Sequence, residues 1–376
     1  MNILHWPTSY PDPSRNQPFN CIFIEEHIRS LLPYTNNRVL FVSPETTLSN
    51  KWHERNDTVE HDIPVTRFYF NKKLNLQFLN IYIRVILLFY FLEIFFIKKF
   101  RPNILHLHFF TVGTWALLFS KLFKIKVVVT EHWTALIGYP VISKKRFNDA
   151  QKIYNYASWI LPVSSHLQRG IIERTGALID NKSSVVNNSV DTSLFTYKPN
   201  NSNPNQLISV IRLDEQKDIP NMLNAFSIVY QNNKELRLII IGGGDATPFI
   251  EIAKELKISQ RINFAGAQPK QKIAELMNQS GLFILSSISE NSPCVIGEAH
   301  CCGLPVVATD VGGVKELIME GDIVPSKSTE LLAKKIEEQL GKNINNEALA
   351  KKAQARFRYN AIGEQIFNVY KKVCAA

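Results

Sequence analysis

The stretch "LRLIIIGGGDATPF", residues 236–249, runs an unbroken apolar segment straight into three glycines. A strand with one wet face alternates apolar and polar residues. This one does not, so both of its faces need cover, as in a parallel sheet held between helices. The glycines imply that a ligand or another backbone passes close to the strand end. Their spacing is not G-x-G-x-x-G, so the dinucleotide fingerprint is absent.

Similar runs recur on either side. "NILHW" (2–6), "RVLFVS" (38–43), "NILHLH" (103–108), "KVVVTEH" (126–132) and "WILPVS" (159–164) precede it, as do "SSVVNNSV" (183–190) and "QLISVIRL" (206–213). "RINFAGA" (261–267), "GLFILSS" (281–287) and "LPVVATD" (304–310) follow. Helix-like segments of roughly ten to twenty residues separate them, and such alternation implies a doubly wound α/β architecture. The Asn-, Pro- and Ser-rich "TYKPNNSNPNQ" (196–206) reads as the boundary between two α/β halves, 1–195 and 206–357. Apolar residues at 362, 366, 367, 369, 370 and 373 predict a final helix within 358–376, with Asn360 as its cap. Open parallel sheets bind ligands beyond the carboxyl ends of their strands, and two of them facing each other make a cleft.

The 376 residues, 45% hydrophobic and 20% charged, describe a soluble globular chain rather than a disordered one. The net charge of +10 is uneven: residues 1–195 carry 22 Lys+Arg against 14 Asp+Glu. A basic first half suits phosphate groups, an anionic membrane surface or nucleic acid, and equally a plain solvated face. Five cysteines without C-x-x-C spacing suit a reducing cytoplasm, and no signal peptide is expected at the N-terminus. "IYIRVILLFYFLEIFFIKKF" (81–100) approaches the length of a membrane span, but Arg84 and Glu93 interrupt it. It is expected to be a buried amphipathic helix of the first domain, ahead of membrane-surface contact and, last, a true span.

The chemistry should follow the strands of the second half. Arg212 ends a strand and Lys217 precedes a helix with Pro220 in its first turn, a setting that suits a phosphate. Pairing of either cation with Asp214, Glu215 or Asp218 explains them as well. In "SENSPCVIGEAHCCGLPVVATD" (289–310), Glu290 lies on a loop and Glu298 in the helix that follows. Ser292 is the expected cap and Pro293 the expected first helical residue. Amides at that helix start favour an anion. "VGGVKEL" then supplies a second glycine turn. His106 and His108 share a strand face, but no third metal ligand is evident, so core or cleft histidines are expected. No D-x-D occurs, and no metal or other cofactor is expected.

Arg212 with Lys217, "GGGD", and E-x7-E followed by "GLPVVATDVGGVKEL" together resemble the retaining nucleotide-sugar glycosyltransferases of GT-B architecture, family 4. "NILHLH", "VVVTEHW", "ILPVS" and "VVNNSVDTSLF" match that family's first-domain landmarks in order, and "RFRYNAIGEQIFNVYKKV" its closing segment. The resemblance implies two Rossmann-like domains across a cleft, with the last helix returning to the first. It assigns Arg212 and Lys217 to the donor diphosphate, Glu290 to the transferred sugar and its leaving phosphate, and Glu298 to the ribose. Amides of Ser292, Cys294 and Val295 would hold sugar or phosphate oxygens, and His132 would lie near the anomeric carbon. Glu131 and Trp133 beside it would meet the acceptor, and a packing role explains Trp133 equally well. The usual N-terminal glycine pair is replaced near Asn20 and Cys21, and Ser189 stands where glycine is usual.

The implied function is a cytoplasmic, metal-independent, retaining transfer of a hexose-like sugar from a nucleotide diphosphate to a hydroxyl acceptor. A lipid-linked glycan at the inner face of a membrane, in surface polysaccharide synthesis, suits the basic first half. A nucleotide-sugar epimerase, a phosphorylase and a non-catalytic nucleotide-sugar scaffold are the alternatives. A nucleic-acid binder ranks last because it leaves the acidic pair unexplained.

Overall fold

A computed structural model of the chain describes residues 1–15, 21–45, 48, 51–71, 76–139, 141–199 and 202–375. It forms two compact units, the first of Met1–Val163, Leu167–Asn187 and Tyr359–Ala376, the second of Ser164–His166 and Asn188–Arg358. Asn20 lies outside the described residues.

The first unit holds β1 (Asn2–Pro7), β2 (Asn36–Glu45), β3 (His53–Glu60), β4 (Ile63–Asn71), β5 (Ile104–His108), β6 (Lys126–Glu131) and β7 (Trp159–Pro162). Their order is β3-β4-β2-β1-β5-β6-β7, parallel except for the β3–β4 hairpin. Ile3, Ile104 and Val128 pack against Ile362, Ile366 and Val369 of the helix Tyr359–Ala375. Their strand neighbours Leu4, Leu105, Val127 and Val129 join a separate cluster with Leu87, Phe91, Ala116 and Ile153. Successive residues thus enter opposite faces of one sheet, each under its own helices, which is why the strands read as unbroken apolar runs.

The second unit holds β8 (Asn203–Val210), β9 (Arg237–Ile241), β10 (Ile262–Gly266), β11 (Ser280–Leu285), β12 (Val306–Thr309) and β13 (Gly321–Val324). All are parallel, in the order β10-β9-β8-β11-β12-β13. This is the doubly wound 3-2-1-4-5-6 sequence, whose winding reverses between β8 and β11, and ligands bind where it reverses. The β8 and β11 loops carry Lys217 and Glu290 respectively.

Three expectations change. The 183–190 stretch forms no strand, only isolated bridges at Ser183 and Val190. Its asparagines bind backbone instead: Asn187 Nδ2 donates to the Val163 carbonyl at 3.0 Å and Asn188 Nδ2 to that of Ser292 at 2.8 Å. The units also part at 187/188 rather than within 196–206. Val190 N–H donates to the Phe357 carbonyl at 2.8 Å, and Val190 and Phe195 are buried in the second core. Asn360 lies inside the last helix and does not cap it.

The glycines after β9 answer to a neighbouring backbone. Ile211 N–H donates to the Ile241 carbonyl and Leu213 N–H to that of Gly243, both at 2.8 Å. Gly242 has φ +155°, and a Cβ there would lie 1.6 Å from the Ile211 carbonyl oxygen. Gly242→Ala should therefore lower stability by about 3 kcal/mol or prevent folding. Urea unfolding checks this, and an unchanged midpoint would contradict the close crossing.

Candidate functional site

In the second unit, three loops converge at the β8/β11 reversal. Ile288 N–H donates to the Gln216 carbonyl at 2.8 Å, and Gln216 Nε2 donates to that of Ser289 at 2.6 Å. Ser286 Oγ donates to the Lys217 carbonyl at 2.7 Å, and Thr309 Oγ1 to that of Ser287 at 2.6 Å. The two loops that carry charge are thereby tied together through their main chains. Lys217 Nζ lies 2.5 Å from Glu290 Oε1, which also accepts from Ser287 Oγ at 2.7 Å. Glu290 is buried, and the ion pair holds its carboxylate in one place. Oε2 has no hydrogen-bond partner among the described residues.

Beyond Glu290 the chain enters the helix Cys294–Cys301. The expected cap is corrected: Pro293 occupies the N-cap and no side chain caps the helix. Pro293 has no N–H, so the anion-favouring donors of this turn begin at Cys294 and Val295. Ser292 is buried beside them. Glu298, also buried, pairs at 3.1 Å with Lys270 Nζ, at the start of the helix Lys270–Asn278. Lys270 was missed in the sequence, where nothing links it to a glutamate 28 positions later. Arg212 points to solvent, its side chain 72% exposed, and pairs with Asp214 at 2.9 Å. Lys217 and Glu290 are thus brought together, while Arg212 stands in one of the pairings its neighbours allowed.

The "VGG" turn supports the Glu290 loop. Gly313 N–H donates to the Asn291 carbonyl at 3.0 Å, and a Cβ on Gly313 would stand 2.2 Å from that oxygen. Gly313→Ala should displace the loop and lower stability by roughly 1.4 kcal/mol or more. Urea unfolding checks this, and an unchanged midpoint would free the loop from the turn.

His132 belongs to the first unit, directly after β6. Glu131 is fully buried, and its Oε1 accepts from the His132 and Trp133 amides at 3.0 Å each. Oε2 accepts from the Phe110 amide at 3.1 Å and from the Tyr154 hydroxyl at 2.7 Å. Burial pushes this carboxyl above its ordinary range, against the pull of Tyr154 and the three amides. The acceptor contact expected of Glu131 is therefore corrected: all four bonds are spent on shaping the turn that presents His132. The His132 ring lies 4.6 Å from that of Phe23 and 5.5 Å from that of His27. Trp133 meets the Phe110 ring at 5.6 Å and the Arg146 guanidinium at 5.5 Å. Cys21, near where the resemblance leads one to expect glycine, takes φ +51°, the left-handed region that glycine enters without steric cost.

His5 supplies the third ring that the sequence did not reveal beside His106 and His108. Nitrogens of the three lie within 4.8 Å of one another, a grouping able to hold a metal. His5 Nε2–H donates to Asn37 Oδ1 at 3.0 Å, leaving Nδ1 to accept from His108 Nε2–H at 3.2 Å. His106 contacts the Tyr370 hydroxyl at 2.5 Å and the Thr130 hydroxyl at 2.7 Å. Both nitrogens of His5 and of His106 are thus engaged, and a metal would have to displace bonds already made. Burial pushes His5 down to about 4 and His106 and His108 well below the usual imidazole range, so all three are neutral at pH 7.

A surface concavity of about 450 Å³ lined by Glu320, Lys342, Asn345 and Lys352 includes none of these groups.

A model of "Glycosyl transferases group 1" matches residues 192–356, and one of "Glycosyltransferase Family 4" matches 47–194. The amylovoran biosynthesis glycosyltransferase AmsK of Erwinia amylovora is 25% identical over 252 residues, 63% of this chain and 61% of its own. N-acetyl-alpha-D-glucosaminyl L-malate synthase of Bacillus anthracis is 28% identical over 179 residues, 44% of this chain. The match spans 45% of that relative's own length, so both relatives are matched over less than two thirds. Among solved structures, Anabaena Alr3699/HepE in complex with UDP has a TM-score of 0.76 at 18% identity, covering 99% of this chain and all of its own. Sucrose-phosphate synthase of Thermosynechococcus elongatus has a TM-score of 0.77 at 16% identity, covering 100% of both chains. These two share the fold.

Proposed function

The chain belongs to the group 1, family 4 glycosyltransferases, and from that premise we propose that it transfers a sugar, with retention, from a nucleoside diphosphate to a hydroxyl acceptor. The observation that carries this reading is the Lys217–Glu290 pair at the reversal of the second sheet, beside the start of the helix Cys294–Cys301. Breaking a sugar–phosphate bond leaves positive charge on the sugar and negative charge on the departing diphosphate. Lys217 and the Ser292, Cys294 and Val295 amides would meet the negative end, and Glu290 the positive one, with little reorganisation. Glu298 would take the ribose, with Lys270 orienting its carboxylate. Arg212 would leave Asp214 for the diphosphate, and His132 would face the anomeric carbon. An acceptor hydroxyl entering on the leaving-group face would retain configuration.

The HepE complexes with UDP and UDP-glucose support a nucleotide-sugar donor. AmsK and the putative teichuronic acid biosynthesis glycosyltransferase TuaC of Bacillus subtilis act in polysaccharide biosynthesis, which suits a glycan acceptor; the basic first half suits a lipid-linked one. Five free cysteines suit the cytoplasmic side of a membrane. No observation favours epimerisation.

Incubation with a panel of nucleotide-sugars and acceptors tests the reading. Glycosyl transfer, or slow release of nucleoside diphosphate, supports it; conversion of one free nucleotide-sugar into its epimer would sink it. Transfer should proceed without a metal, since Lys217 and the amides at the start of the helix Cys294–Cys301 would meet the charge of the leaving group. Dialysis against EDTA should leave the rate within about twofold, whereas a loss reversed by Mn²⁺ or Zn²⁺ would return the histidine cluster or an added cation to the mechanism.

A further inference from the structure

The helix Leu76–Leu92, continued by a π-helical turn Glu93–Ile97, does not follow the buried reading of its sequence. Only 28% of its most apolar stretch, within Phe78–Ile97, is buried. Leu79, Ile83, Leu87 and Ile94 enter the core of the first unit. On the opposite face Phe78, Ile81, Val85, Phe89, Leu92 and Phe96 are exposed, Phe89 to 65% and Phe96 to 66%. Their spacing of three and four residues makes one continuous stripe, about 27 Å long at 1.5 Å per residue. No charged residue interrupts it. Glu93, which seemed to break the apolar run, is turned away into a bidentate pair with Arg55 of β3 at 2.6 and 2.9 Å.

The neighbouring helix Gly113–Phe123 extends this surface. Phe119 and Phe123 stack on Phe91 at 4.5 and 5.3 Å, and Leu118 and Leu122 are exposed one turn apart. Cations flank the apolar area. Arg84, Lys99, Arg101, Lys121 and Lys124 are exposed, and none has an ion pair among the described residues. An apolar stripe with unpaired cations at its border and its end complements the acyl boundary and phosphates of an anionic bilayer.

We propose that the exposed face of residues 78–97, with Leu118 and Leu122, seats the first unit on an anionic membrane surface. The helix lies along the interface rather than across it, because its other face is built into the core and Glu93 is tied to the sheet. Apolar insertion supplies part of the binding and the cations the rest, so salt removes only part of it. This inference does not rest on the transfer reaction, and its test involves no donor.

The test is sedimentation with vesicles of phosphatidylcholine alone, or with about one third phosphatidylglycerol, at low and high salt. Wild type should bind the anionic vesicles and keep measurable binding at high salt. Phe89→Asp with Phe96→Asp should lower the partition roughly tenfold or more at both salt levels. Lys99→Glu with Arg101→Glu should lower it chiefly at low salt. The milder pair Ile81→Ser with Phe89→Ser gives a second readout, with near-UV circular dichroism as the folding control. Wild type left in the supernatant at low salt, or aspartate variants binding as wild type does, would overturn the proposal. A wild-type dimer that the aspartates dissolve would also overturn it, assigning the stripe to a second copy of the chain.

Discussion

Lys217→Ala should lower the rate of sugar transfer by about two to three orders of magnitude, or roughly 3–4 kcal/mol of transition-state stabilisation. The ammonium is held 2.5 Å from Glu290 on a loop whose main chain is bonded to the neighbouring loop, so its position is set before a donor arrives. Its effect should fall mainly on kcat, because negative charge on the diphosphate grows as the bond to the sugar breaks. Glu290→Ala should cost a similar factor by removing the carboxylate proposed to face the sugar. It also leaves Lys217 partly buried without its partner, so affinity for a free nucleoside diphosphate should rise while turnover falls. Nucleoside diphosphate release, measured with thermal unfolding as a control, separates these effects from misfolding. A Lys217→Ala enzyme within threefold of wild type would remove the pair from the chemistry.

The second large effect is acid lability of the first unit. His5 and His27 are held near about 4 by burial, and burial also keeps His106 and His108 well below the ordinary value. The unfolded chain binds protons on these rings below about pH 6.5, whereas the folded chain does not. Their contribution is therefore complete above about pH 6.5 and is lost progressively as the pH falls toward 4. Each ring removes up to about 1.4 kcal/mol per pH unit through that interval, so the four together amount to several kcal/mol. Urea midpoints between pH 7.5 and 5 should fall steeply, and His5→Asn with His108→Gln should flatten the slope. A midpoint constant to pH 5 would mean that the rings are hydrated or paired with acids.

The architecture was legible because its strands are covered on both faces. Ile3 and Leu4 on β1, and Ile104 and Leu105 on β5, serve different clusters, so every position is apolar and the run stands out. β3 escaped notice for the opposite reason: "HERNDTVE" is a polar edge strand with no buried residue. The 183–190 stretch misled because its valines suggest a strand, while Asn187 and Asn188 draw the backbone into other bonds.

Within the candidate site, the motif spacing located Glu290, Glu298 and Lys217, but their pairings are tertiary. Lys270 reaches Glu298 from a separate helix, and His5 reaches His108 across the sheet from residue 108's neighbouring strand. Glu131 looked like a cleft carboxylate because it adjoins His132, yet its four hydrogen bonds make it the brace of that turn. The apolar run at 81–100 identified a helix but not its open face, since periodicity cannot show which side lacks a partner.

The Lys217–Glu290 pair is proposed to serve retaining transfer from a nucleotide-sugar. A proton NMR time course of one reaction, following the anomeric signal, tests it most directly. The predicted result is decay of the α-linked donor, equimolar nucleoside diphosphate, and an α-linked product whose formation is lost in Glu290→Ala. A β-linked product, or a nucleotide-sugar changed only in its sugar stereochemistry, would contradict it.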